Sequence, residues 1–213
     1  MNIIRRPFRY IDFHSIYWLI GINVLIFAAM QFLGNEFYSF LITRMSMIPV
    51  MVLNGWIWSF VTYMFIHGNL SHILFNMLGL FIFGFHVERQ IGSKEFLLYY
   101  FVTGALAGAF SFAVYCFTGN YFVFLIGASG ALYAVQLAYA VLYPNSIIYV
   151  MGILPLRAPV MVLVFTVLSF IFIFTGRQSD VAHLTHLAGF GFGWLYFLIR
   201  FNINPWRRLT GRP

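Results

Sequence analysis

The chain is built from long apolar runs that charge almost never interrupts. No Asp, Glu, Lys or Arg occurs in 13–35, 45–87, 96–156, 158–176 or 181–199. Each run exceeds the ~18 apolar residues that indicate a membrane-spanning helix. The run 96–156 is long enough for two spans and a hairpin, and 45–87 for one span and a long apolar loop. The pattern therefore predicts an all-α membrane protein with six transmembrane helices, at 16–32, 68–88, 94–115, 129–143, 158–175 and 183–201, in a single membrane domain over residues 1–213. Segment 34–58 is too long for a hairpin yet carries Met45, Met47, Ile48, Met51, Trp56, Ile57 and Trp58. Irregular backbone is not tolerated deep in hydrocarbon, so this segment is expected to be a loop half-immersed at the outer interface.

Composition narrows the class further. Hydrophobic residues make up 62% of the chain and charged residues 8%. A soluble domain runs near ~25% charged, so a water-exposed surface is excluded. The first apolar run follows Arg5, Arg6 and Arg9 and is too long for a typical signal core, so no cleaved leader is expected. The single cysteine, Cys116, rules out an intrachain disulfide and a Cys-rich metal site. A net charge of +7 would suggest nucleic acid in a soluble protein. Here the cations read as topology signals. With both termini in the cytoplasm, the inner side receives Arg5, Arg6, Arg9, Arg89, Lys94, Arg157, Arg200, Arg207, Arg208 and Arg212, and the outer side Arg44 and Arg177. That asymmetry fixes the orientation by the positive-inside rule. The tail around Asn204-Pro205-Trp206-Arg207-Arg208 reads as an interfacial anchor rather than a folded unit.

Function in a membrane protein is sought where the spans keep polar side chains. One such place is His67-Gly68-Asn69-Leu70-Ser71-His72, with Asn76 four residues after His72 on the same helical face. Interhelical hydrogen bonding is the plain alternative there. A zinc site is disfavoured, because the chain has no HExxH and no nearby carboxylate. A second place is Gly127-Ala128-Ser129-Gly130, opening the fourth span. Pro144 should end that helix, which then measures about 22 Å against a hydrocarbon thickness of ~30 Å. Ser129 is thereby expected roughly 8 Å below the outer boundary. The third is His183 and His186, the latter about one turn into the last span after an N-cap at Asp180. Gly189 and Gly193 share the His186 face and let another helix approach closely. If that helix is the fourth, Ser129 and His186 come into contact range.

These three places lie in the outer thirds of helices two, four and six, which run in the same direction. Seryl catalysis needs a base and oxyanion donors. His186 can be the base, Ser129 sits at a helix N-terminus with unpaired N–H groups, and Asn76 and His72 can donate. The five acids fall elsewhere: Asp12, Glu88 and Glu95 on the inner side, Glu36 and Asp180 in outer loops. A Ser–His dyad is therefore expected, with Tyr133 one turn below Ser129 to pack on the imidazole.

In these residues the chain resembles the rhomboid intramembrane proteases, from about Ile16 to Phe201. The family pattern H-x4-H-x3-N reads here as His67, His72 and Asn76, G-x-S-G as Gly127–Gly130, and A-H-x-x-G-x3-G as His186, Gly189 and Gly193. The resemblance implies that Ser129 is the nucleophile and His186 the general base and acid. It assigns the oxyanion to His72, Asn76 and the Ser129 backbone, and the packing on the histidine to Tyr133. Glu88 with Gly92-Ser93 resembles the family's E-x3-G-S element, in which the acid bonds to the next helix and serves stability. One departure is the first loop, where Trp58 is followed by Ser59 rather than the usual arginine. The implied activity is cleavage of transmembrane or membrane-proximal segments of other proteins, with no metal and no cofactor. Substrate would approach laterally beside the fifth helix. The expected partners are transmembrane substrates and the lipid bilayer, not nucleic acid. The expected location is the bacterial cell membrane, with the site opening to the extracytoplasmic side. Two alternatives are a catalytically inactive rhomboid-like protein that binds membrane clients, and a transporter. The latter calls for paired acids or repeat symmetry that the chain lacks.

Overall fold

The computed structural model describes residues 5–150, 152–174 and 180–211, with the side chains of 172–174 and 180–182 outside that description. The chain is mostly helical. In order, α1 is Ser15–Phe32, α2 Asn35–Met45, α3 Pro49–Leu53, α4 Ser59–Thr62, α5 Leu70–Ile91, α6 Ser93–Phe117, α7 Ser129–Leu142, α8 Ala158–Phe174, α9 Asp180–Tyr196 and α10 Pro205–Thr210. Among the described residues, α1, α5 and α6 are long and apolar enough to cross a membrane, and α7 and α8 are shorter apolar helices. The N-cap expected at Asp180 falls on a side chain outside the described residues, as do Arg177 and Arg212 entirely.

The hub is α7. Gly130, Ala131, Ala134, Ala138 and Ala140 are buried along it, so neighbouring helices pack close to its backbone. A Cβ on Gly189 of α9 would run into the Gly130 carbonyl oxygen, and one on Gly193 would fall 3.2 Å from Ala134 Cα. The α7–α9 contact is thus a backbone contact. On another side, a Cβ on Gly79 of α5 would meet the Leu132 side chain at 2.9 Å. At 14 residues, α7 spans only about 21 Å.

Two segments depart from the sequence reading. Residues 34–58 are not an irregular loop: α2 and α3 occupy much of the segment. A helix satisfies its own backbone polar groups, which is required wherever the segment is out of reach of water. Within this segment Trp56 and Trp58 stack at 5.3 Å and Arg44 lies 4.8 Å over the Trp56 ring. Between α7 and α8, a short antiparallel hairpin pairs β1, Ile147–Val150, with β2, Leu154–Arg157. The tail also gains structure, as α10, capped where Asn204 accepts from the Trp206 N–H.

The end of the bundle opposite Ser129 is tied by carboxylates. Glu88 accepts from the Ser15 and Ile16 N–H groups at the start of α1, and from the hydroxyls of Ser15 and Ser93. Glu95 takes Arg200 Nε at 2.8 Å, Tyr196 Oη at 2.6 Å and the Phe8 N–H at 2.9 Å. Both acids are buried.

Candidate active site

Ser129 is the first residue of α7, and its position is set by the loop before it. Gly127 donates its N–H to the Tyr63 carbonyl at 2.9 Å, and Met47 and Leu125 exchange two backbone hydrogen bonds. The segment between α2 and α3 therefore holds the strand-like approach to Ser129. Gly127 has φ +107°, where L side chains are strained, and a Cβ there would lie 2.5 Å from His72 Nε2. Only glycine lets the loop pass against the His72 ring.

His186 is carried by α9, pressed to α7 through the glycine contact. Its Nε2 lies 2.8 Å from Ser129 Oγ. Tyr133 stacks on the imidazole with centroids 4.2 Å apart and planes 12° apart. Phe190 and Phe165 pack around Tyr133 in turn. His186 Nδ1 is buried and has no hydrogen-bond partner among the described residues. His183 lies edge-on to His186 at 5.8 Å, a ring contact rather than a carboxylate.

His72 and Asn76 come from the first turns of α5. Asn69 caps that helix by accepting from the His72 N–H at 2.8 Å. Asn76 donates one amide hydrogen to the His72 carbonyl at 2.8 Å, which leaves its second hydrogen uncommitted by that bond. Its Oδ1 is buried without a partner among the described residues. The buried His67 ring meets His72 edge-on at 4.9 Å. Among the described residues, no group of three or more His, Cys, Asp or Glu comes together to hold a metal. In chemical terms the arrangement joins a hydroxyl to an imidazole at a helix N-terminus, beside an amide and a second imidazole. That set can transfer a proton from Ser129 and hold negative charge on a neighbouring oxygen.

The family model for the rhomboid domain matches residues 54–203. The chain belongs to the rhomboid family. It is thus an integral membrane protein, in keeping with its apolar helices. Similar proteins include YdcA of Bacillus subtilis (strain 168), provisionally named a rhomboid protease, 27% identical over 68% of this chain and 67% of that one. Rhomboid-like protein 12 of Arabidopsis thaliana, named as mitochondrial, is 28% identical over 64% of this chain and 44% of the relative. The rhomboid protease GlpG of Salmonella choleraesuis (strain SC-B67) is 30% identical over 56% and 40%. The matches to the last two thus span less than half of those proteins' lengths.

Three features, two around this rhomboid site and one at the opposite end of the bundle, have no counterpart in the sequence reading. Tyr63 holds the Ser129 loop through its carbonyl while its hydroxyl donates to Gly104 O at 2.8 Å. Thr185, next to His186 where the family pattern has alanine, shares a buried hydrogen bond with Ser111 of α6. Arg200 and Tyr196 clamp Glu95. Only Thr185 left a signal, as a departure from the pattern.

Proposed function

We propose that this rhomboid chain is an intramembrane serine endopeptidase that cleaves transmembrane or membrane-proximal segments of other membrane proteins with a Ser129–His186 dyad. The observation that carries the reading is the 2.8 Å contact between Ser129 Oγ and His186 Nε2, with Tyr133 stacked on the ring. The bundle has six spans at the helices α1, α5, α6, α7, α8 and α9. Its basic side faces the cytoplasm with both termini, and the Ser129 end opens to the opposite side.

In this mechanism His186 is neutral, with its proton on Nδ1 and its Nε2 lone pair toward Ser129. As Oγ attacks the scissile carbonyl, its proton passes to Nε2. The carbonyl oxygen becomes an oxyanion held by the Ser129 N–H, the second Asn76 amide hydrogen and His72. One such donor is worth ~10²–10³ in turnover. The imidazolium then protonates the leaving amine, and water, activated by the same His186, hydrolyses the acyl-enzyme. Tyr133 does the orienting work that an aspartate does in a triad, by stacking worth ~0.5–1.5 kcal/mol. Gly189 and Gly193 keep α9 close enough for the dyad to meet. Neither metal nor cofactor enters a step.

The test is cleavage of a single-pass membrane substrate in liposomes. The parent protein yields two fragments, and Ser129→Ala lowers the rate by about 10⁴-fold or more. Equal cleavage by Ser129→Ala sinks the mechanism. A fluorophosphonate probe should label Ser129, and labelling should disappear with His186→Ala.

A further inference from the structure

A groove of about 570 Å³ runs along α9 where it meets α8, lined among others by Val162, Thr166, Gly191, Phe192, Leu195 and Leu209. Its wall is almost wholly hydrocarbon. The Thr166 hydroxyl is already donated to the Val162 carbonyl at 2.8 Å. A polar ligand would find little to bond in it, and an alkyl chain would lose nothing by entering.

Gly191 deepens this groove without an internal reason to be glycine. Gly189 and Gly193 are small because α7 and Tyr99 press on them, but a Cβ on Gly191 would meet nothing within 4 Å among the described residues. Its backbone is ordinary helix, where glycine costs ~0.5–1 kcal/mol relative to alanine. Gly191 is exposed, and the described residues leave the space beside it open.

The lining includes Leu209 of α10, the six-residue helix that also carries Trp206, Arg207 and Arg208. Trp206 is 55% exposed. Arg207 and Arg208 are exposed and form no ion pair among the described residues, whereas Arg200 is spent on Glu95. Guanidinium groups match phosphate oxygens, and tryptophan settles at the headgroup level.

We propose that this groove is a site for an anionic glycerophospholipid, one acyl chain lying over Gly191 and the headgroup phosphate meeting Arg207 and Arg208. The site rests on the membrane setting and not on the dyad, so its test uses no cleavage readout. Protein extracted from vesicles of mixed phosphatidylcholine and phosphatidylglycerol is examined by native mass spectrometry for retained lipid. The parent should favour phosphatidylglycerol by about tenfold or more. Arg207→Gln with Arg208→Gln should lose the preference and keep the chain. Gly191→Leu, which fills the groove, should retain neither lipid. Equal retention of both lipids by the parent overturns the proposal, as does parent-like retention by Gly191→Leu. If a single-pass substrate displaces the lipid in competition, the groove belongs to substrate and the proposal also falls. Should Gly191→Leu fail to fold, the exposed arginine pair decides: an unchanged preference in the double variant overturns the headgroup assignment.

Discussion

The two ends of the helical bundle handle buried polar groups in opposite ways. At the Glu88–Glu95 end, every carboxylate oxygen is met. Glu88 gathers two backbone N–H groups and two hydroxyls, and Glu95 gathers a guanidinium, a phenol and a backbone N–H. At the Ser129 end, hydrogen-bonding capacity is left over. His186 Nδ1 and Asn76 Oδ1 are buried and unpartnered among the described residues. A saturated network rigidifies, while an unsaturated one keeps groups ready for a ligand that arrives later. The first end therefore carries stability and the second chemistry, and substitutions should divide along that line.

The largest stability effect is expected at Glu95. Glu95→Ala removes the carboxylate from a half-buried pair with Arg200, and losing its charge-assisted hydrogen bonds costs ~1.5–3 kcal/mol. Unfolding in mixed micelles should show that loss, while cleavage per folded molecule stays at the parent level. If Glu95→Ala loses turnover and keeps stability, the division between the two ends is wrong.

Next in size is Gly189→Ala. Its methyl would run into the Gly130 carbonyl and push α9 from α7. A displacement of about 1 Å at reacting groups can cost ~10²-fold in rate, so turnover should fall on that order with a smaller change in stability. Gly21→Ala in α1 is the control, because a Cβ there meets nothing within 4 Å among the described residues and cleavage should not change.

Much of this is legible in the amino-acid sequence, for physical reasons. Helices α1, α8 and α9 fill charge-free runs bounded by charges such as Glu36 and Arg157, and Glu88 and Lys94 mark the joint between α5 and α6. The Gly189–Gly193 face was legible because a missing side chain leaves a periodic trace. What could not be read lies where apolar sequence is ambiguous. Ile147–Val150 is a run of β-formers inside a charge-free stretch, and composition alone does not separate such a strand from the ends of two helices. In the same way α2 was hidden, since Phe40 and Met45 fit an immersed loop as well as an interfacial helix. Side-chain links such as Thr185 to Ser111 have no spacing rule across 74 residues.

Acidification tests the Ser129 end from outside the spans. Burial, then the charge of His72, holds the His67 imidazole down at about 4, from an ordinary 6.5. The folded protein then binds fewer protons than the unfolded one between those values. The stability that His67 contributes is present above 6.5 and is lost as pH falls toward 4, by at most about 1.4 kcal/mol per pH unit. His67→Gln should flatten that slope in thermal unfolding measured between neutral pH and the lower limit. An unchanged slope would mean that other groups dominate the acid limb.

The smallest effect separates what Tyr133 does from what it is. Its ring lies 4.2 Å from that of His186 and nearly parallel to it, so the orienting contact is aromatic rather than phenolic. Tyr133→Phe keeps that face and should leave turnover within about threefold of the parent. Tyr133→Leu removes it, and the loss of ~0.5–1.5 kcal/mol of ring contact corresponds to about tenfold at the upper limit. The order of the two variants matters more than either value. A Phe variant as slow as the Leu variant would shift the role to the hydroxyl, and the dyad would then depend on a third polar group after all.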